Sequence, residues 1–312
     1  MDNIHHLINS FANCKAAVVG DAMLDTYIFG DSTRISPEAP VPVVDKKNQM
    51  YCLGGAANVA LNLKKLGAET TLIGTIGKDS HGERLIELLK EDAIGNGLIA
   101  IDKSTTCKMR IFAKKQQVLR LDEEDRSPIS NAVAEQILRK VKEGNFNVII
   151  LQDYNKGLLS KGLIEEIITY CKANQIFIAV DPKKNFFFEY KGVDLFKPNL
   201  KEITEAFNKE AELEELVEEL ETKIENQCTM VTLAEKGIFI KRKKDTTLSP
   251  AYKQEVSDVS GAGDTVISVA AVSMFSGASL EEVGKLCNLA ASIVCNKVGV
   301  APITKQDLIE NL

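Results

Sequence analysis

Short apolar runs and longer amphipathic stretches alternate along the chain. Residues 16–20, 70–74, 148–151, 176–180, 195–196 and 230–233 are apolar at nearly every position and rich in β-branched side chains. Uninterrupted apolar runs of that length predict strands covered on both faces, as in a parallel sheet. Between them, over 55–66, 80–91, 130–143, 160–173, 200–207 and 209–226, apolar residues recur at intervals of three and four, which lays one apolar stripe on a helix. In 209–226 the leucines share one face and glutamates fill the other, a solvated helix with no chemistry of its own. The alternation predicts an α/β protein with a mostly parallel central sheet and helices on both sides. Ligands of such sheets lie beyond the carboxyl ends of the strands. Asp21, Asp25, Asp153, Asp181 and Asn199 all follow predicted strands and are candidates.

Two stretches break the rhythm. Residues 26–50 contain Pro37, Pro40 and Pro42 and have no helical period; residues 106–121 mix β-branched and basic side chains, as a hairpin does. Together they predict a small β-sheet lid over the ligand end. An exposed lid sheet invites pairing with a second copy, so a homodimer through the lid is expected. The composition adds limits. The chain has 312 residues, 45% of them hydrophobic and 26% charged, enough for one large core with an appendage. Its net charge of −6 argues against nucleic-acid or anionic-membrane partners. No apolar run approaches the ~18 residues of a membrane span. Met1-Asp-Asn-Ile-His-His lacks the basic and apolar regions of a secretory signal. The seven cysteines are odd in number and have no C-x-x-C spacing, so reduced thiols and a cytoplasmic location are expected.

The densest chemistry is Asp258-Val-Ser-Gly-Ala-Gly-Asp-Thr265, which runs into an apolar helix over 266–275. Gly261, Ala262 and Gly263 let an anionic group approach their amides, and the positive end of the helix points at the same place. A carboxylate there, Asp264, suits a general base in phosphoryl transfer to a hydroxyl. A tight turn with Asp264 as helix cap fits the local pattern equally well. In Leu53-Gly-Gly-Ala-Ala-Asn58, small residues open a helix beside Asn58, which offers a donor and an acceptor to sugar hydroxyls. Close helix packing is the alternative. Asn199 and Glu202, spaced i,i+3, would face one way and hold water around a magnesium–phosphate group.

The order Gly20-Asp21…Asp25, Gly54-Gly55…Asn58, Gly74-Thr-Ile-Gly77-x-Asp79, Asn199-x-x-Glu202 and Gly261-Ala-Gly-Asp264 resembles the ribokinase-type (PfkB) sugar kinases across essentially the whole chain. Neither a Gly-x4-Gly-Lys-[Ser/Thr] loop nor a G-x-G-x-x-G after the first strand is present. Arg34-Ile-Ser-Pro-Glu-Ala-Pro-Val-Pro-Val-Val44, Asp153-Tyr-Asn-Lys-Gly157, Asp181-Pro-Lys183 and Lys197-Pro-Asn-Leu-Lys-Glu202 resemble more narrowly the D-glycero-β-D-manno-heptose 7-phosphate kinases. Gln152 and Asn155 depart from that pattern, where smaller residues are expected.

The resemblance implies a ribokinase-like three-layer fold and ATP-dependent phosphorylation of an anomeric hydroxyl, giving heptose 1,7-bisphosphate for lipopolysaccharide core or another surface glycan. It implies that Asp21, Asp25 and Asn58 hold sugar hydroxyls, with Gly54 and Gly55 permitting the approach. Asp264 would be the base, and the amides of Gly261, Ala262 and Gly263 would receive charge developing on the phosphoryl group. Lys156, Lys183 and Arg34 would meet the sugar phosphate, Arg34 in its own or a neighbouring subunit. ATP would lie along Thr232, Glu235 and Gly237 and near Asn288, Gly261 and Gly263, with Asn199 and Glu202 holding Mg²⁺ through water. Some relatives carry a fused nucleotidyltransferase with a His-x-Gly-His motif. The only histidines here are His5, His6 and His81, so residues 1–312 are expected to form a single kinase domain, with lid segments near 26–50 and 106–121. A separate nucleotidyltransferase would then act downstream. Two alternatives stay open: a kinase of the same fold acting on another sugar, and a catalytically silent sugar- or nucleotide-binding regulator.

Overall fold

The computed structural model describes residues 2–114, 116–209, 211–252, 258–297 and 299–312. Lys115, in the second lid segment, and Glu210, in the last predicted helix, lie outside them. The described strands are β1 (Lys15–Gly20), β2 (Ala22–Ile35), β3 (Pro42–Gly55), β4 (Glu69–Gly77), β5 (Gly95–Ile101), β6 (Cys107–Ala113), β7 (Gln116–Glu123), β8 (Val148–Gln152), β9 (Phe177–Asp181), β10 (Leu195–Phe196), β11 (Thr229–Thr232), β12 (Ile238–Arg242) and β13 (Asp245–Ser249). The helices are α1 (Asp2–Ser10), α2 (Ala56–Lys65), α3 (Ser80–Glu91), α4 (Asn131–Glu143), α5 (Lys161–Ala173), α6 (Leu200–Phe207), α7 (Leu213–Ile224), α8 (Ala262–Phe275), α9 (Leu280–Cys295) and α10 (Lys305–Glu310).

Strand β1 shows why the chain builds three layers. Its side chains alternate between faces. Ala16 and Val18 join one core with α2, α3, α8 and α9, while Ala17 and Val19 join a second core with α4, α5 and α7. Both faces are covered, so no polar alternation is needed, which is what the uninterrupted apolar runs predict. The large sheet has the order β13-β12-β11-β10-β9-β8-β1-β4-β5. It is parallel from β11 through β5, and β12 and β13 close one edge in antiparallel fashion. Pairing sets Gly20 opposite Gln152 and Gln152 opposite Asp181, so three strands deliver their last residues to one place.

Every predicted strand and helix is found, with ends shifted by a few residues. No strand is predicted over β5, where the short apolar run of residues 98–101 follows Gly95, Asn96 and Gly97. A Cβ on Gly95 would stand 2.4 Å from the Thr71 hydroxyl, and one on Gly97 2.8 Å from Ile73, so packing against β4 requires glycine.

The lid is a four-stranded sheet in the order β3-β2-β6-β7. β2 and β3 pair from Ala22 opposite Gly55 out to Ile35 opposite Pro42, and β6 runs parallel to β2. This ribbon leaves the main sheet directly after Asp21 and returns directly into α2. Gly55 makes that return with φ of 56°, and the Ala56 amide donates to the Asp21 carbonyl at 3.0 Å. Lid base, strand end and helix start thereby share one corner. Leu119 and Leu121 on β7 are exposed on one face of the lid, and Ile35, Val41 and Met50 are exposed elsewhere on it.

Candidate active site

Helix α8 is apolar all round and buried almost throughout, so its first turn is fixed in place. Gly261 precedes it with φ of 81°, and a Cβ there would lie 2.9 Å from Nδ2 of Asn58. This close approach puts Asp264, 5% exposed, against the first turn of α2 and the ends of β8 and β9. Its Oδ2 accepts from Asn58 Nδ2 at 2.8 Å. Its Oδ1 accepts from the Tyr154 hydroxyl at 2.6 Å and from Gln152 Nε2 at 3.3 Å. The same Gln152 nitrogen donates to Asp181 Oδ2 at 3.1 Å, and Asp181 Oδ1 faces the Lys197 ammonium at 3.1 Å. Burial raises the Asp264 pKa to about 6 and nearby Asp181 adds to the rise, while the donors and Lys197 oppose it.

Ala262 N–H bonds the Val259 carbonyl. The amides of Gly263 and Asp264 open the first turn, where a helix has no earlier carbonyl to meet. The Lys197 ammonium sits about where a Cβ of Gly263 would come within 3.9 Å. A positive helix end, open amides and a buried ammonium thus converge beside one carboxylate, an arrangement suited to collecting phosphoryl charge next to a base.

Asp21 has a different task from the one its position suggests. Its carboxylate accepts the backbone amides of Tyr154, Lys156 and Leu158, at 2.9, 3.1 and 3.4 Å, and so fixes the loop after β8. Burial, with Asp153 nearby, still raises its pKa to about 6. Asn58 is likewise engaged within the protein, its donor held by Asp264 and its carbonyl groups by Asn62. Asp25 pairs with Arg110 of β6, and Gly54 makes room for it, since a Cβ there would fall 2.2 Å from the carboxylate.

The cations divide into two sets. Lys156 pairs with Glu124 and Lys183 with Glu202. Lys108 and Lys183 hold their ammonium groups 5.5 and 5.6 Å from the centre of the Tyr154 ring. Burial holds the Lys108 pKa below the ordinary lysine value and the like charge of Lys156 lowers it further, with Asp25 opposing. Arg34 stands apart. It lies nine residues beyond Asp25 along β2 (34 − 25), roughly 30 Å of strand, and is exposed beside Asp45 at 3.7 Å. His81 lies at the start of α3 near Glu123, and the cap there is Asp79.

The nucleotide candidates gather at the other end of the strand row. Asn199 and Glu202 form a reciprocal capping box at the start of α6, and Asn199 bridges to Thr232. Gly237, φ 95°, packs where a Cβ would strike the Ser249 carbonyl at 2.1 Å. Asn288 donates to the same carbonyl and to the Ser249 hydroxyl, each at 2.9 Å. Glu235 is exposed. Among the described residues no cluster of three metal-ligating side chains exists. One carboxylate with lone pairs to spare, as on Glu202, still fits Mg²⁺, which keeps most of its water and leans on nucleotide phosphates.

Sequence reasoning passed over Lys108, Arg110, Tyr154 and Lys197 as site residues. Tyr154 and Lys197 sit inside motifs that are legible in the chain. Lys108 and Arg110 alternate along a strand opposite Asp25 and Tyr27, a signal visible only once β6 is paired to β2.

The family model described as pfkB family carbohydrate kinase matches residues 14–306. The chain belongs to that family. It is therefore a sugar kinase, a phosphotransferase. Bifunctional protein HldE of Hydrogenovibrio crunogenus is 39% identical over 309 residues, covering 98% of this chain and 64% of that protein. The HldE of Campylobacter fetus is 40% identical, covering 95% and 65%. The chain thus spans somewhat under two thirds of the length of these relatives. Among solved structures, Escherichia coli phosphofructokinase-2 in complex with potassium superposes with a TM-score of 0.83 at 18% identity, over 96% of this chain and 98% of that one. Arabidopsis thaliana ribokinase complexed with ribose and ATP gives 0.72 at 21%, over 95% and 98%. Both establish the ribokinase-like fold.

The raised Asp264 pKa has a stability consequence. A carboxyl whose folded pKa exceeds its unfolded value contributes stability below the unfolded pKa and loses it as pH rises through the folded one. Wild type therefore loses stability at this site between about pH 4 and pH 6, and Asp264→Asn does not. Thermal melts of both proteins should show the variant's Tm gaining on wild type from pH 4 to pH 7. A difference constant with pH would refute the raised pKa.

Proposed function

We propose that the chain transfers the γ-phosphoryl group of ATP to the anomeric hydroxyl of D-glycero-β-D-manno-heptose 7-phosphate, giving heptose 1,7-bisphosphate for ADP-heptose and surface-glycan synthesis. The observation that carries the phosphotransfer part is Asp264, a buried carboxylate with pKa near neutrality set beside open helix amides and Lys197. The heptose part rests on the heptose-kinase-like segments quoted above and on the HldE relatives.

In this mechanism the acceptor hydroxyl gives its proton to Asp264 as its oxygen attacks the γ-phosphorus. The new O–P bond forms as the bond to the β-phosphate oxygen breaks, and ADP leaves. A base with a pKa near the operating pH contributes ~10²–10⁴-fold. The amides of Gly261 and Gly263 with Lys197 stabilise the charge on the moving group. ATP with Mg²⁺, when bound, supplies the activated phosphoryl group and offsets its charge. Asn199 and Glu202 would hold water on the metal, and Thr232, Gly237 and Asn288 would border the nucleoside, with Glu235 at its exposed rim. Asp25, placed by Gly54 and oriented by Arg110, is left to hold sugar hydroxyls. Asp21 and Asn58 act on the sugar indirectly, through the loop and the base they fix.

Lys108 of the lid and Lys156 of the loop after β8 are like-charged neighbours, with Glu124 on Lys156 and Asp25 and Asp122 near Lys108. A sugar phosphate relieves that repulsion, so Lys108 joins Lys156 and Lys183 as its ligand. Arg34, far out on the lid, acts in this reading only on a neighbouring subunit. The exposed leucines of β7 support a homodimer through the lid. The seven free thiols support a cytoplasmic location.

ATP consumption against a panel of sugars and sugar phosphates tests the reading. Turnover is expected with heptose 7-phosphate, falling ~10²–10⁴-fold in Asp264→Asn. Lys108→Met should raise KM for the heptose phosphate about ten- to a hundredfold, the worth of one charge-assisted contact, with little change in kcat. Turnover confined to another sugar would discard the substrate, and none with any sugar would discard the kinase. Sedimentation should give a dimer, and Leu119→Glu with Leu121→Glu a monomer; an unchanged sedimentation coefficient would exclude the lid as the interface.

A further inference from the structure

Gln152 ends β8 with no exposed surface. Across from it stands Gly20, where a Cβ would meet the Gln152 carbonyl at 2.1 Å and its Cβ at 2.9 Å, so the two strand ends lie too close for a side chain at position 20. The side-chain nitrogen reaches two carboxylates, Asp181 at 3.1 Å and Asp264 at 3.3 Å. The oxygen of the same amide is buried and has no hydrogen-bond partner among the described residues. The reverse orientation would set that oxygen against two carboxylate oxygens, so charge alone fixes which end faces them. A buried acceptor without a donor is destabilising, so the oxygen does not account for an amide at this position. What the amide supplies is a donor to the two carboxylates.

We infer that Gln152 is a positioning residue for phosphoryl transfer, its two amide protons dividing Asp264 from Asp181 and holding Asp264 ionised and aimed at the acceptor hydroxyl. The inference rests on Asp264 being the base. The charges around that base come from every side. Tyr154 reaches it from the loop after β8 and Asp181 from β9, while Lys197 lies beyond β10 and Lys183 beside Asp181. Asp25 acts on it at longer range through Tyr154, and Cys287 of α9 lies behind Lys197 with its buried thiol neutral. Two of these groups are carboxylates, and a donor on Asp264 favours its ionised form beside them. Without it Asp264 holds its proton to higher pH.

The test uses Gln152→Met, which keeps volume and removes the donors, and Gln152→Glu, which adds a third carboxyl. Each full chain is assayed for ATP consumption with heptose 7-phosphate from pH 5 to 9, with a thermal melt alongside. For Gln152→Met we expect a folded chain with a cooperative melt, KM values within about twofold, and the acid limb of kcat moved up by about one unit. That shift is about a tenfold loss near pH 5.5 that shrinks above pH 8. Gln152→Glu should move the limb further in the same direction. A stable Gln152→Met with an unmoved limb would overturn the inference, as would a raised KM with the limb in place. Asp264→Asn separates the two readings. Turnover surviving in it removes the base and this inference together, whereas its loss beside an unmoved Gln152→Met limb removes the inference alone.

Discussion

A carboxylate buried at the start of an apolar helix is held only if donors meet it on all sides, and this condition organises the centre of the molecule. Asp264 draws one donor from α2, one from the end of β8 and one from the loop that follows. Each is held in turn. Asn62 fixes Asn58, Asp21 fixes the Tyr154 loop, and strand register fixes Gln152 beside Asp181. Moving any of these elements would leave a charged oxygen unpaired away from water, at a cost of several kcal/mol. The parallel sheet gives the strand ends a common edge, and the carboxylate fixes what must stand along it.

Much of this was legible in the chain. Alternating apolar runs and amphipathic stretches give layers and order, because strands covered on both faces need no polar positions. The lid shows in 26–50 and 106–121, where helical periodicity stops. Asp264 stands out because Gly-Ala-Gly followed by a carboxylate at a helix start suits an anion site, although a helix cap fits the same pattern. What the chain concealed depends on pairing between distant segments. Arg110 looks like any basic residue in a hairpin until β6 lies along β2 and sets it on Asp25. Asp21 reads as a sugar ligand by position, yet its oxygens face three amides of a loop more than a hundred residues away in sequence. Sequence position ranks carboxylates by nearness to the sheet edge; only the fold tells which oxygens are already taken.

The departures from the family pattern lie at that same edge. Gln152 and Asn155 stand where the resemblance leads one to expect smaller residues, and each buries an amide oxygen that has no partner among the described residues. Unpaired acceptors are destabilising, so their presence beside Asp264 and Asp21 fits a site shaped by charge and not by stability. Lys197, Asp181, Gln152 and Asp264 then form one chain of alternating donors and acceptors from the phosphoryl side to the base.

Counting lone pairs shows where the proton goes in the proposed mechanism. A carboxylate offers about four acceptor positions, two on each oxygen. On Asp264, Tyr154 and Gln152 occupy both positions of Oδ1, and Asn58 occupies one on Oδ2. The remaining position is on Oδ2, beside the Asn58 donor. An acceptor hydroxyl placed there would meet the base without displacing any donor, with the amides of α8 beside it. The tight fit of Gly261 against Asn58 then has a chemical reason as well as a packing one: a side chain at 261 would push on the donor that orients the catalytic oxygen. Glycine before the helix matters for the aim of the base as much as for the room it gives the phosphoryl group.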